Sequence, residues 1–316
     1  MKIDINRLER ITASLDIRFV DGDEKQTLLI EGGKPIYFSS SIDDHSENLP
    51  GGSCGENMRA AYPGPDQPYE PLITAFFQLM KEQQQSVRMI DVGALWGHTS
   101  LVAASLMPNA IVHFFEMNPI TTRALSKNIE LNPQLGGDFQ IQNILLSNID
   151  TTTQVTFKHY TVRYGGGKGG TEISRLKILR ENLKSALKRI FGHEGKGDYI
   201  TLQMRVATID NYCAEKEFAP NLIKIDVEGS QYDILKGAEK VIAQHRPLLL
   251  VEFDTPDSAN NIGKSNRDVI RLMESMGYQC IWGDHRRRKS PLHQIDANTH
   301  LEIEVNSLGI FYPSEA

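Results

Sequence analysis

Apolar residues recur along this chain in two rhythms: short continuous runs bounded by glycine or an acid, and longer stretches with apolar positions at helical spacing. MIDV from Met89 and IVHFF from Ile111 read as buried strands. Helix-compatible sequence follows each, LVAASLM after the first and PITTRALSKNIELN after the second. Upstream, PLITAFFQLMKEQ predicts a helix with Pro71 in its first turn, where the missing N–H leaves no bond unmade. Downstream, FQIQNILLS reads as a third strand and TTTQVTFKHY, alternating with period two, as an added one. YGGGKGG then breaks the pattern, and the basic helical stretch Thr171 to Phe191 reads as an insertion at about 165–197. The last third resumes the alternation with strand NLIKIDVEG, helix SQYDILKGAEKVIAQ, strand RPLLLVEF and helix NRDVIRLMESMG, Gly277 standing at its C-cap. YQCIWGD and LEIEVNSLGIFY close the chain as an antiparallel pair. The whole predicts an α/β sheet of parallel steps closed by a hairpin.

Ahead of these elements, LLIEGGKPIYFSS predicts a hairpin about Gly32 and Gly33. Ser39 to Pro71 is rich in Gly, Pro, Ser and Asp and predicts a loop, either a lid over a site or a surface wrap. Residues 1–70 are thus expected to be a hairpin with a lid-like extension, and 71–316 the main domain with its helical insertion.

Composition narrows the partners. With 316 residues, 40% of them hydrophobic, the chain can bury a full α/β core. A net charge of -6, from 34 basic and 40 acidic residues, gives no overall pull toward nucleic acid or anionic membrane. Cys54, Cys213 and Cys280 are odd in number and lack metal-ligand spacing, which predicts reduced thiols and a cytoplasmic setting. No apolar run approaches the ~20 residues of a membrane span.

The chemistry gathers in MIDVGALWGHTS, a strand breaking into a glycine turn and then a helix. Gly93 and Gly97 would let the backbone come close to a ligand, and Glu116 ends the next strand where a carboxylate can accept from both hydroxyls of a ribose. The spacing D-V-G-x-x-x-G is not the G-x-G-x-x-G of dinucleotide enzymes, and no P-loop occurs. Asp91 inside the turn would repel a pyrophosphate but accept from a ligand ammonium. A cationic ligand with a ribose points to S-adenosylmethionine.

DVGALWGHTS, FFEMNP, KNIELN, ATIDNY, LIKIDVEGSQYDILKGAEKVI and PLLLVEF stand in an order and spacing that resembles the FkbM-type methyltransferases, class I enzymes using S-adenosylmethionine. The resemblance covers about Tyr69 to Phe253, and the KIDVEG block is its most specific part. It implies a Rossmann-like sheet of seven strands, mostly parallel with the last antiparallel. It also implies that Asp91, Gly93, Ala94 and Gly97 line the methionine part of the cofactor and Glu116 the ribose. Met117, Asn118 and the segment Asn143 to Ser147, with Leu146, would line the adenine. Thr99 and Ser100 are either first-turn contacts or helix N-caps. Where the family usually has Asn, in DVGAN, this chain has Leu95, followed by Trp96.

Methyl transfer to a hydroxyl needs alignment and removal of a proton. Lys224, Asp226 and Glu228 share one face if their strand persists, which makes Asp226 or Glu228 the candidate base, its pKa raised by desolvation. The structural alternatives are a helix cap for Asp226, backbone bonds for Glu228 and an ion pair for Lys224. Asp226 with Glu252 could instead hold a Mg²⁺ ion. His98 is the one histidine placed for a role, His113 reads as core, and His285 to Lys289 as a solvated hairpin tip or an anion site. The basic residues Lys177, Arg180, Lys184, Lys188 and Arg189 form either a solvated face or a cap over an acidic acceptor. The expected function is O-methylation of a sugar, glycan or other small molecule, with no nucleic-acid or membrane partner. A cofactor-binding inactive relative and an NAD-dependent oxidoreductase are the alternatives.

Overall fold

The computed structural model describes residues 3–40, 54–63, 68–158, 161–164, 200–227, 229–255, 264–300, 303 and 305–314. The expected insertion at about 165–197 and Glu228 lie outside them.

The chain opens with helix α1 (Ile5–Ser14), which the sequence periodicity does not single out; Asp4 caps it by accepting from the Arg7 amide, and Leu8 and Ile11 face inward. Strands β1 (Ile17–Val20), β2 (Lys25–Ile30) and β3 (Ile36–Ser39) follow as an antiparallel sheet, so the hairpin about Gly32 gains a third strand. The Gly/Pro-rich segment contains a short helix, α2 (Cys54–Ala61), and then α3 (Pro71–Glu82) begins with proline in its first turn as expected. Strand β4 (Arg88–Val92) enters the glycine turn, α4 (His98–Leu106) leaves it, and β5 (Ile111–Phe115), α5 (Pro119–Glu130) and β6 (Asp138–Gln142) continue the alternation. All nine residues of α4 are buried, since the helix has protein on every side.

FQIQNILLS is not one strand. After β6 the chain turns at Asn143, and β7 (Leu145–Leu146) joins β8 (Thr151–Lys158), β9 (Thr161–Tyr164) and β10 (Ile200–Ala207) in a separate sheet of order β7-β10-β8-β9. The period-two run beginning at Thr151 therefore adds to this second sheet, not to the main one.

Helix α6 (Ile209–Lys216) leads to β11 (Leu222–Ile225). The single helix expected after it is two, α7 (Gln231–Lys236) and α8 (Glu239–His245). They part at Gly237, where any Cβ would lie 2.1 Å from the Ser147 carbonyl oxygen. Strand β12 (Leu248–Phe253), helix α9 (Asn266–Ser275) and strands β13 (Tyr278–Gly283), β14 (His293–Ile295) and β15 (Ser307–Pro313) complete the chain.

The main sheet runs β14-β13-β15-β12-β11-β4-β5-β6. Its strands β6, β5, β4, β11 and β12 are parallel, and β15 inserts antiparallel between β12 and β13. Seven strands were implied and eight are present, because β14 pairs with β13 at the edge. One apolar layer joins α1, α3, α4 and the N-terminal sheet to one face, and the other packs α6, α7, α8 and α9 on the opposite face. The C-terminal ends of β4, β11 and β12 meet where the connections diverge, the place where open α/β sheets hold their ligands.

Candidate active site

Register assembles the centre. Asp91 and Lys224 are cross-strand partners in β4 and β11, so both side chains leave the same face. Asp91 is fully buried, 3.3 Å from Lys224 Nζ, and accepts a 2.6 Å bond from Ser100 Oγ. Its Oδ2 thus accepts from the protein, and its Oδ1 faces the Lys224 ammonium. Lys224 Nζ also lies 3.1 Å from Asp226 and donates to the Gly93 carbonyl at 3.1 Å, tying the strand end to the glycine turn. Burial alone would lower the Lys224 ammonium, but the carboxylates of Asp226, Asp91 and Glu70 outweigh it and raise it.

The turn has three left-handed residues, Gly93 at φ +74°, Leu95 at φ +49° and Gly97 at φ +80°. At Gly93 a Cβ would stand 1.9 Å from the Asp226 carbonyl oxygen, and at Gly97 2.6 Å from Leu125 Cδ1. At both glycines the protein itself already approaches too closely for a side chain. Leu95 departs from the family's asparagine yet keeps the conformation that asparagine tolerates more readily than leucine. Its N–H donates at 3.0 Å to Glu116, whose other oxygen accepts from Asn118 N–H at 2.8 Å. Trp96 packs on the core, and its carbonyl accepts from Asn128. Ala94 is buried beside them.

Neither hydroxyl caps α4, whose N-cap is Gly97. Ser100 serves Asp91, and Thr99 Oγ1 lies 3.4 Å from Glu70 Oε2. Among the residues expected at the adenine, Asn118 is buried and its carbonyl accepts from Thr121 and Thr122. Asn143 donates to the Glu116 carbonyl and to Thr122, and Leu146 lies in the core. Met117 is half-buried against Val155 and Met204.

The candidate base differs from expectation in its acidity. Burial would raise Asp226, but Lys224 and a hydrogen bond with Glu252 hold its carboxyl below the ordinary range. Its side chain is 34% exposed, so it is the ionised acid that faces solvent at the strand ends. The raised carboxyl is Glu252, through burial and then the neighbouring Asp226. Glu252 is 3.3 Å from Arg286 Nη2 and 3.9 Å from His285 Nε2. No cluster of three or more metal-ligating side chains occurs among the described residues.

The run His285 to Lys289 is solvated only in part. His285 is buried between Glu252 and Glu70, the latter 3.7 Å away, and Arg286 reaches inward to Glu252. Arg288 donates to the Leu15 carbonyl, while Arg287, paired with Asp284 at 76% exposure, and Lys289 keep to the exposed rim. His98 is also buried, bonded to Tyr62 Oη at 2.6 Å, with its pKa lowered to about 3 by burial. His113 bonds Tyr212 and stacks on Phe218, a core residue as expected.

Sequence reading missed Glu70, and singled out His285 and Arg286 only within a run read as a hairpin tip or an anion site. Glu70 precedes Pro71 at the N-terminus of α3 with φ +47°, buried, and its pKa is raised to about 7 by burial and by Asp226. An acid before a helical proline is an ordinary N-terminal residue in sequence. Only the fold brings it to the centre.

The glycine turn and the buried Glu116 carboxylate fit a nucleoside ligand. Each Glu116 oxygen takes one main-chain N–H and retains lone-pair capacity for a hydroxyl.

The sequence model described as "Methyltransferase FkbM domain" matches residues 91–280. No curated protein matches the chain. Among solved structures, the FkbM methyltransferase of Methylobacillus flagellatus KT is 15% identical over 72% of this chain and 44% of its own, TM-score 0.41. The chain thus spans less than half of that protein's length. The precorrin-6y C5,15-methyltransferase of Geobacter metallireducens GS-15 is 12% identical over 77% of this chain and 87% of its own, TM-score 0.36. The magnesium protoporphyrin IX methyltransferase of Synechocystis PCC 6803, with bound SAM, is 7% identical over 78% and 79%, TM-score 0.39.

Proposed function

The chain belongs to the FkbM family of S-adenosylmethionine-dependent methyltransferases, and from that premise we propose that it methylates a hydroxyl of a sugar, glycan or other small natural-product-like molecule. Bound S-adenosylmethionine supplies a methyl group already activated on a sulfonium. The residues suited to hold it are those of the turn from Gly93 to Gly97 and the Glu116 carboxylate. With the family shown, the oxidoreductase alternative has no remaining support.

The observation that carries the proposal is Asp226, ionised and part-exposed at the strand ends, with Lys224 behind it and the Glu252 proton beside it. A carboxylate with so low a pKa is a weak base. It is nevertheless a good acceptor for an alcohol O–H, and so a good device for orienting the hydroxyl. As the new C–O bond forms, the oxygen becomes positively charged and its proton strongly acidic, so a weak base suffices to take it late. Alignment can be worth about 7–11 kcal/mol, whereas a positioned base contributes about 10²- to 10⁴-fold. A site that spends its strongest electrostatics on holding Asp226 still is consistent with that order of importance.

The test is transfer of label from methyl-labelled S-adenosylmethionine to a panel of sugars, glycans and polyhydroxylated small molecules. The proposal expects label on oxygen, and an Asp226→Asn variant slower by about 10²- to 10⁴-fold with cofactor binding kept. Label on nitrogen or carbon, or an Asp226→Asn variant as fast as wild type, would contradict it.

A further inference from the structure

Four carboxyl groups gather about the buried Lys224 ammonium and the half-exposed Arg286 guanidinium. Lys224 is within 3.3 Å of Asp91 and 3.1 Å of Asp226, and Arg286 within 3.3 Å of Glu252. Glu70 has no Lys or Arg at ion-pair distance among the described residues. Its Oε1 faces His285 Nε2 at 3.7 Å and its Oε2 faces Thr99 Oγ1 at 3.4 Å.

The groups around Glu70 come from every side. His285, from the loop after β13, is lowered to about 4 by burial and by Arg286, so it is neutral near pH 7 and supplies no charge. Tyr69, raised by Glu70 and by burial, and Tyr62, raised by burial and then Glu70, keep their protons. Lys224 and Arg286 pull Glu70 down, while burial and Asp226 push it up, and the balance leaves it near about 7. With Glu252 and Glu70 protonated, Asp91 and Asp226 offset Lys224 and Arg286, and the centre is neutral.

Glu70 also borders the glycine turn. Thr99 is in the first turn of α4, the helix that leaves the turn, and Lys224, whose charge acts on Glu70, donates to the Gly93 carbonyl. Bringing one more positive charge into a neutral, largely buried centre is unfavourable unless a counter-charge appears. Glu70 is the group there able to provide it at neutral pH. It lies outside the matched stretch 91–280.

We propose that Glu70 is part of the cofactor site and gives up its proton to solvent when a cationic donor binds, its carboxylate then balancing the donor's sulfonium. This rests on the S-adenosylmethionine reading above. Proton uptake and release are linked to binding, so the affinity for the cation should rise with pH below about 7, approaching tenfold per pH unit. S-adenosylhomocysteine has the same nucleoside and amino acid without the sulfonium charge, and serves as the neutral probe.

Calorimetry of the intact protein in two buffers of different ionisation enthalpy, near pH 7, counts the protons released. The expected result is about half a proton on binding S-adenosylmethionine and none on binding S-adenosylhomocysteine. Glu70→Gln should bind both without release, and Glu252→Gln should release as wild type does. Should Glu70→Gln not fold, ¹³C-carboxyl spectra of glutamate-labelled wild type decide: one resonance titrating near pH 7 should shift to its ionised position with S-adenosylmethionine alone. Equal release with both ligands, release that survives in Glu70→Gln, or no such resonance would overturn the inference. Failure of both ligands to bind would instead overturn the cofactor reading, and this inference with it.

Discussion

Lys224 is the residue on which the site turns, because one ammonium reaches Asp91, Asp226 and the Gly93 carbonyl. Replacing it by methionine keeps the volume and strands two acids, Asp91 among them fully buried. Lys224→Met should therefore destabilise the fold by about 3–5 kcal/mol in urea unfolding, the cost of breaking a buried pair from one side. A loss below about 1 kcal/mol would contradict this role for Lys224. Leu95 makes the opposite prediction. A left-handed conformation costs an ordinary L-residue roughly 1–2 kcal/mol, and asparagine tolerates it better, so Leu95→Asn should raise the melting temperature. A lower one would show that the leucine side chain, 39% exposed, makes contacts worth more than the strain. Sequence placed Lys224 beside Asp226 by strand alternation, which is local. It could not place Asp91 beside Lys224, since that pairing depends on the register of two strands far apart in the chain.

At the scale of elements, the glycine turn is where the backbone is most constrained. Gly93 and Gly136 share a left-handed φ, +74° and +68°, but a Cβ at Gly136 meets nothing within 4 Å, whereas at Gly93 it meets the Asp226 carbonyl oxygen. Gly136→Ala should cost about 1–2 kcal/mol, the conformational penalty alone, and Gly93→Ala clearly more, by paired thermal melts. Equal losses would show that the contact with β11's extension yields easily. The long, strongly periodic elements α3, β4, β5, β12 and α9 were legible because their burial pattern is written in consecutive residues. Among those that were not, three have a clear physical reason. Gly237 breaks a continuous helical pattern only because Ser147 lies against it, β14 is three residues long, and the arginine run reads as surface although the fold turns His285 and Arg286 inward.

The whole molecule is a class I methyltransferase sheet with one extra edge strand, a separate four-stranded sheet and an N-terminal layer that delivers Glu70. No helix among the described residues is long and apolar enough to cross a membrane. The buried acids and histidines set the pH dependence of stability. Glu70 and Glu252 have raised pKa values, so the native state keeps protons that unfolded glutamates release above about pH 4.5, and stability falls as pH rises through about 7 and beyond. His98 and His285, lowered to about 3 and about 4, must stay neutral, so stability also falls as pH drops below the 6.5 of a free imidazole. The two slopes oppose between about pH 4.5 and 6.5. The melting temperature should be highest there and decline toward alkaline pH, with Glu252→Gln flattening that decline; a melting temperature rising from about pH 7 to 9 would contradict the assignment.

The central claim is that the glycine turn and Glu116 form a site for S-adenosylmethionine, and titration calorimetry with S-adenosylhomocysteine tests it most directly. Wild type should bind one equivalent saturably, and Glu116→Ala, which removes the carboxylate held by Leu95 and Asn118, should bind at least about tenfold more weakly, the worth of a charged hydrogen bond. No binding by wild type, or equal binding by Glu116→Ala, would contradict the account.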